Sequence, residues 1–176
     1  ALWDLWQGLE LPSHPTLEAA LRSALDKSAN PSVLLQNRLA QIRLLRFGSP
    51  DQTRAVLLGL LNSESPAEVQ REALTVLRSH RSPETARGII ANWPTLSPSL
   101  RPQVVNLLLS RTAYHDALVT AVEKEAIKLG ELNLDLEQRR ALLRESTPEI
   151  HERASRFIGD EEYGNRAKAV EEWLAR

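Results

Sequence analysis

Histidines, paired carboxylates and arginines are the residues of this sequence that could do chemistry. The four histidines, His14, His80, His115 and His151, stand singly. None lies four residues from another, so no helix turn offers two of them to one ion, and H-E-x-x-H does not occur. A metal centre needs several convergent ligands, so surface or capping roles are the expectation. His115 and Asp116 have the composition of an acid–base pair, yet adjacent residues of a helix do not face each other. Carboxylates such as Glu123, Glu125, Glu161, Glu162, Glu171 and Glu172 alternate with Lys and Arg on expected outward faces, and nothing selects a pair for hydrolysis. No glycine-rich phosphate loop is present. The expectation is therefore no catalytic, cofactor-binding or metal-ligating residue in this segment.

Arginine carries the stronger signal, with 18 Arg against 4 Lys. The planar guanidinium suits fixed, hydrogen-bonded roles because it bridges carboxylates and carbonyls in a defined geometry. Arg38, Arg71, Arg101 and Arg153 each fall within the second helix of an expected pair. Arg71, Arg101 and Arg153 form the candidate interface, a ladder facing an anionic partner. The competing reading is ion pairing between helices and stabilisation of helix C-termini. Acids interleaved throughout favour that second reading.

Proline announces the elements that must carry these arginines. Asn30-Pro31, Ser49-Pro50, Ser65-Pro66, Ser82-Pro83, Ser97-Pro98 and Thr147-Pro148 use six of the ten prolines. A Ser, Thr or Asn side chain caps a helix start, and Pro at the first helical position gives up no bond the helix needs. Ser65 with Glu68 completes a capping box, and Ser49 has Gln52 at the same offset. Ser49 to Ser82 is 33 residues and Ser65 to Ser97 is 32. That period matches two-helix repeats of about 30–45 residues. Apolar or small residues recur at +4 and then +3 in Val69/Ala73/Val76, Leu100/Val104/Leu107 and Ile150/Ala154/Phe157. Val33/Asn37/Ala40 fits except for its Asn. Such a stripe places three side chains on one helix face.

The spacing predicts an all-α chain, an α-solenoid of stacked antiparallel helix pairs with about ten or eleven helices. Residues 1–15 read as a terminal cap helix and linker, with Leu2, Leu5 and Trp6 on one side. Residues 16–127 read as regular pairs, 128–135 as an irregular linker, and 136–176 as C-terminal helices. The expected helices are Thr16–Ser28, Pro31–Phe47, Pro50–Asn62, Pro66–His80, Pro83–Trp93, Pro98–Ser110, Thr112–Ile127, Leu136–Glu145, Pro148–Ile158 and Asp160–Arg176.

Composition narrows the function classes. The net charge of −1 speaks against a dedicated nucleic-acid binder. No apolar run approaches the roughly 18 residues of a membrane span. No signal-peptide pattern is found. With no cysteine, the segment has no disulfide, no thiolate catalysis and no Cys-based haem attachment, and its compartment is not fixed by redox chemistry. Methionine is absent even at position 1, so an excised or processed segment of a larger protein is expected.

The repeats resemble HEAT-type repeats. The order L-S-P-S-L-R-P-Q-V-V-N-L-L-L-S-R (Leu96–Arg111), A-L-V-T-A-V-E-K (Ala117–Lys124), R-R-A-L-L-R (Arg139–Arg144), P-E-I-H-E-R-A (Pro148–Ala154) and a last helix headed by Arg166 is more specific. It resembles the helical region of planctomycete-type membrane-bound dehydrogenases that also carry a c-type cytochrome domain. The resemblance spans about Asn30 to Arg176. It implies an exported or periplasmic location and a haem c domain beyond this segment. It carries no catalytic or haem-ligating residue onto any position here. The expected function is a non-catalytic scaffold that positions neighbouring domains or binds a protein partner, without nucleic acid. The alternative is a HEAT-like nucleic-acid-binding protein or DNA glycosylase-type enzyme, which the net charge of −1 disfavours.

Overall fold

The computed structural model describes residues 15–158. Ten α-helices are found among them: α1 (Pro15–Ala29), α2 (Leu35–Leu44), α3 (Pro50–Gly59), α4 (Ala67–Leu77), α5 (Pro83–Ala91), α6 (Arg101–Leu109), α7 (Thr112–Glu123), α8 (Leu129–Leu132), α9 (Leu136–Arg144) and α10 (148–158). Short 3-10 turns, Leu45–Phe47 and Trp93–Thr95, extend α2 and α5. No strand occurs among the described residues, and the all-helical expectation holds. The expected helices at 1–9 and 160–176 lie outside the described residues, as do His14, Arg166 and the carboxylates from Glu161 to Glu172.

Three of the Pro-headed starts work as the sequence implies. Ser49 Oγ accepts from the Gln52 N–H at 3.4 Å, Ser82 Oγ from Glu84 at 3.2 Å, and Thr147 Oγ1 from Ile150 at 3.4 Å. The other three differ. Pro66 is itself the cap residue of α4, with extended ψ and no side-chain bond, so the Ser65–Glu68 capping box does not form. Asn30 caps a turn instead of a helix, accepting from the Ser32 N–H at 2.9 Å, and α2 begins only at Leu35. After Ser97, residues 98–100 make one turn before α6 starts at Arg101, which leaves Pro102 harmlessly inside the first turn. The complete capping box belongs to Asp135 and Gln138 at the head of α9.

The buried face of α2 is not the one the spacing predicts. Val33, Asn37 and Ala40 are not buried; Arg38, Leu39 and Ile42 are. Val69/Ala73/Val76 and Leu100/Val104/Leu107 are buried as the spacing predicts, and Ile150 and Ala154 are buried beside a half-buried Phe157. Residues 128–135 are not wholly irregular: α8 is a single turn, stopped by Asn133 in the left-handed region at φ 45°.

Helices contact one another in two successions. Helix α1 packs on α3, α3 on α5 and α5 on α7, with Arg153 joining α10 to α7, while α2 packs on α4 and α6 on α9, the Ser97–Gln70 bond linking α4 to the turn before α6. Contacts of α1 with α2, α3 with α4 and α6 with α7 join the two. Helix α5 makes its main helix contact with α7, not with α6, its neighbour in the chain. A side chain at Gly88 would put its Cβ 2.4 Å from Leu58 Cδ1, so the glycine permits the close approach of α5 to α3. One contiguous apolar core runs from Ala24 to Ile158, with Trp93, Tyr114, Leu57 and Leu107 among its largest members. Burial of this kind supplies about 25 cal/mol per Å² of apolar surface removed from water.

Candidate functional site: a polar cleft beside α6

The three ladder arginines have three different fates. Arg153 on α10 is clamped to α7: Nε and Nη2 donate to Glu123 at 3.0 and 2.6 Å, Nη1 to Asp116 at 2.7 Å, and Nη2 to Thr120 Oγ1 at 2.8 Å. Hydrogen bonding to Glu123 and then Asp116 raises the Arg153 pKa, and the Glu123 carboxyl is correspondingly lowered. Arg71 is exposed on α4. Arg101, the first residue of α6, stacks with its guanidinium carbon 5.2 Å from the centroid of Trp93. No two of the three share a bonding partner among the described residues. Arg38, the fourth arginine of the pattern, is buried and donates from Nε to the Ser28 carbonyl at 3.1 Å, near the C-terminal end of α1.

Arg101 opens onto a cleft of about 260 Å³ between α6, α8 and α9. Pro98, Pro102, Val105 and Leu132 provide its apolar lining. The polar lining comes from Arg101, Asn106, Glu131, Asn133 and Gln138. Each is set locally. Trp93, 2 % exposed, donates from Nε1 to Glu131 Oε2 at 2.8 Å and so ties the turn before α6 to α8. The same carboxylate oxygen lies 4.0 Å from Arg101 Nη1, beyond the usual ~2.7–2.9 Å of a charge-assisted bond. Gln138 uses Oε1 to accept from the Asp135 N–H and donates from Nε2 to Asn106 Oδ1 at 2.7 Å. The Asn106 amide nitrogen, on an exposed residue, is left facing solvent. The arrangement offers hydrogen-bond donors to a ligand that accepts.

The histidines sit apart from this cleft. His115 is fully buried: Nε2 donates to the Leu109 carbonyl at the end of α6 (3.1 Å), so Nδ1 accepts from Ser146 Oγ at 2.8 Å. Asp116 turns the other way, to Arg153, so the two never act as a pair. His151 Nδ1 donates to the Leu143 carbonyl near the end of α9 at 2.8 Å. Capping thus holds for two histidines, but a surface position fails for His80 and His115, which are 3 % and 0 % exposed. His80 is enclosed because its carbonyl accepts from the Tyr114 hydroxyl and its ring meets Thr53 Oγ1 at 3.4 Å. Burial, and then the Arg54 charge, push its pKa below 6.5, while Asp51 acts in the opposite direction. No group of three or more His, Asp or Glu placed to hold a metal ion occurs among the described residues.

Trp93, Asn106, Glu131 and Gln138 were not selected by residue type. Their signal is spacing: Trp93 and Glu131 are 38 residues apart and Asn106 and Gln138 are 32, near the 32–33 residues between Pro-headed starts. Gln70 has the same signature. It is buried, donates to the Asn62 and Ser65 carbonyls, and accepts from Ser97 Oγ 27 residues away. Comparison of the chain with protein-family models, curated proteins and solved structures finds no match.

Proposed function

We propose that this chain is a non-catalytic helical-repeat scaffold, a HEAT-like α-solenoid that positions domains or binds a protein partner. One observation carries the reading. Among the described residues, the side-chain hydrogen bonds that reach beyond neighbouring segments join residues 27 to 38 apart, about one repeat. Arg43–Glu72, Tyr114–His80 and Arg153–Glu123 are examples, at separations of 29, 34 and 30. Such bonds tie together segments about one helix pair apart in the chain, which supports an arrangement in which each repeat leans on its neighbours. Polar groups that could have been catalytic, His115, Asp116 and Arg153, are used in this way.

The resemblance to the helical region of exported dehydrogenase–cytochrome proteins extends the proposal: a platform between domains, located in the periplasm, with haem c carried by a neighbouring domain. No helix among the described residues is long and apolar enough to cross a membrane. The test is the coding sequence downstream of the Arg176 codon. A Cys-x-x-Cys-His motif within a few tens of codons supports the redox-platform reading. A stop codon, or further helical repeats without cysteine, overturns that part of it. The scaffold itself is tested by DNA titration across ionic strength. Tight binding that weakens steeply with salt would mark a phosphate-tracking groove and replace the protein-scaffold reading with the nucleic-acid one.

A further inference from the structure

The helices differ in charge according to the succession they belong to. Helices α2, α4, α6 and α9 carry seven arginines against three glutamates, a surplus of four positive charges. Helices α1, α3, α5, α7 and α10 carry eight acids against six bases, a surplus of two negative charges. The chain as a whole is near neutral at −1, so this asymmetry is a property of the fold and not of composition. The cleft lies between two helices of the positive set, α6 and α9, and its own charged lining is Arg101 and Glu131.

We propose that the cleft binds an acidic, extended peptide segment of a protein partner, with a carboxylate of that segment held by Arg101 and Asn106. Three features point to this occupant, which rests on the scaffold reading and specifies its partner. Arg101 packs over the Trp93 ring, so part of its freedom is already lost before binding. Its present acid, Glu131, is engaged by Trp93 and stands too far away for a short bond, so the guanidinium retains donors for a better-placed carboxylate. Asn106 has spent its oxygen on Gln138 and keeps two amide hydrogens. Val105 and Leu132, buried to 2 % and 4 % exposure, form an apolar floor for an alternate side chain of the same segment. At about 260 Å³ the cleft is below the ~300–1,000 Å³ usual for an enclosed small-molecule site. A chain of alternating acidic and apolar residues fits it better than a metabolite.

The experiment is fluorescence anisotropy on the full chain. Three labelled probes are used: a peptide alternating leucine with aspartate and glutamate, the same peptide with asparagine and glutamine, and a thymidine oligonucleotide. The acidic peptide is expected to bind at low salt, and the amide peptide about tenfold more weakly, as expected when a charge-assisted bond becomes a neutral one. Arg101→Gln and Asn106→Leu are each expected to weaken the acidic peptide severalfold. Arg87→Ala, on α5 in the other succession, leaves it unchanged. Thermal melts accompany each variant; Asn106 is exposed, so its substitution reports on binding even if Arg101→Gln loosens Trp93. Equal binding of the acidic and amide peptides, or no binding of either, overturns the proposal. So does oligonucleotide binding that both variants abolish. Failure of the peptide with a haem motif found downstream sinks the cleft and leaves the platform standing.

Discussion

Tyr114 shows what one side chain does at a joint between helices. Its ring is fully buried on α7, and its hydroxyl reaches back 34 residues to the His80 carbonyl after α4. Burial raises the phenol pKa, so the hydroxyl stays a donor at neutral pH. Tyr114→Phe keeps the ring and strands a buried carbonyl, which is expected to cost about 1–2 kcal/mol in urea unfolding. His80 beside it makes stability depend on pH. Its folded pKa lies below 6.5 while the unfolded value is near 6.5, so the unfolded chain binds more protons as pH falls. Stability is therefore fully present above pH 6.5 and is lost as pH drops through the lower folded value. Asp51 softens the effect and Arg54 reinforces it. Unfolding midpoints measured from pH 8 to 5 should fall, and His80→Gln should flatten that fall. An unchanged slope in the variant would locate the effect elsewhere.

Caps and clamps act on whole elements. The Asp135 capping box is the complete one among the described helices and fixes α9, which carries Gln138 into the cleft. Asp135→Ala is expected to cost about 1 kcal/mol and to raise amide exchange in the first turn of α9. Helix α10 is held to α7 by the three-partner grip of Arg153 on Glu123, Asp116 and Thr120. Arg153→Ala should loosen α10 first, seen as faster exchange over 148–158 with α3 and α4 unaffected. The loss in global stability should be modest, about 1 kcal/mol, and smaller at high salt, because the pair is partly solvated and screened. A uniform rise in exchange across all helices would mean that α10 does not open as a separate unit. Gly48 illustrates a different device. It ends the 3-10 turn after α2 with φ −83°, so it is not a left-handed cap. A Cβ there would lie 2.7 Å from Thr53 Cγ2, which indicates close approach as its reason.

At the scale of the molecule, contacts that follow chain succession predict independence between distant sites. Leu57 on α3 and Leu142 on α9 are both buried, and their helices share no main contact. Each replacement by Ala is expected to cost about 2–5 kcal/mol, and the double variant should be additive within ~0.5 kcal/mol. A large coupling energy in urea unfolding would show that the core responds as one packed body.

The helices themselves were legible because a start or stop needs only groups within one turn. Ser49, Ser82, Asp135 and Thr147 each satisfy an N–H two or three residues away, and a proline fixes its own φ. The 32–33-residue spacing of the Ser-Pro pairs was readable in the same way. The sequence misjudged the cases in which proline stands outside the helix, one position before it at Pro66 and four before it at Pro31, because turn and helix share the same local signal. It could not rank the arginines. Arg38, Arg101 and Arg153 have the same local pattern, yet one is buried on a carbonyl, one stacked on Trp93 and one clamped by two acids. Helix identity, and the starts of those helices whose cap is local, were thus determined by the sequence alone. The cleft and the grouping of charged helices were decided by tertiary structure, because both depend on how helices distant in the sequence pack, as where Gln138 meets Asn106 32 residues away.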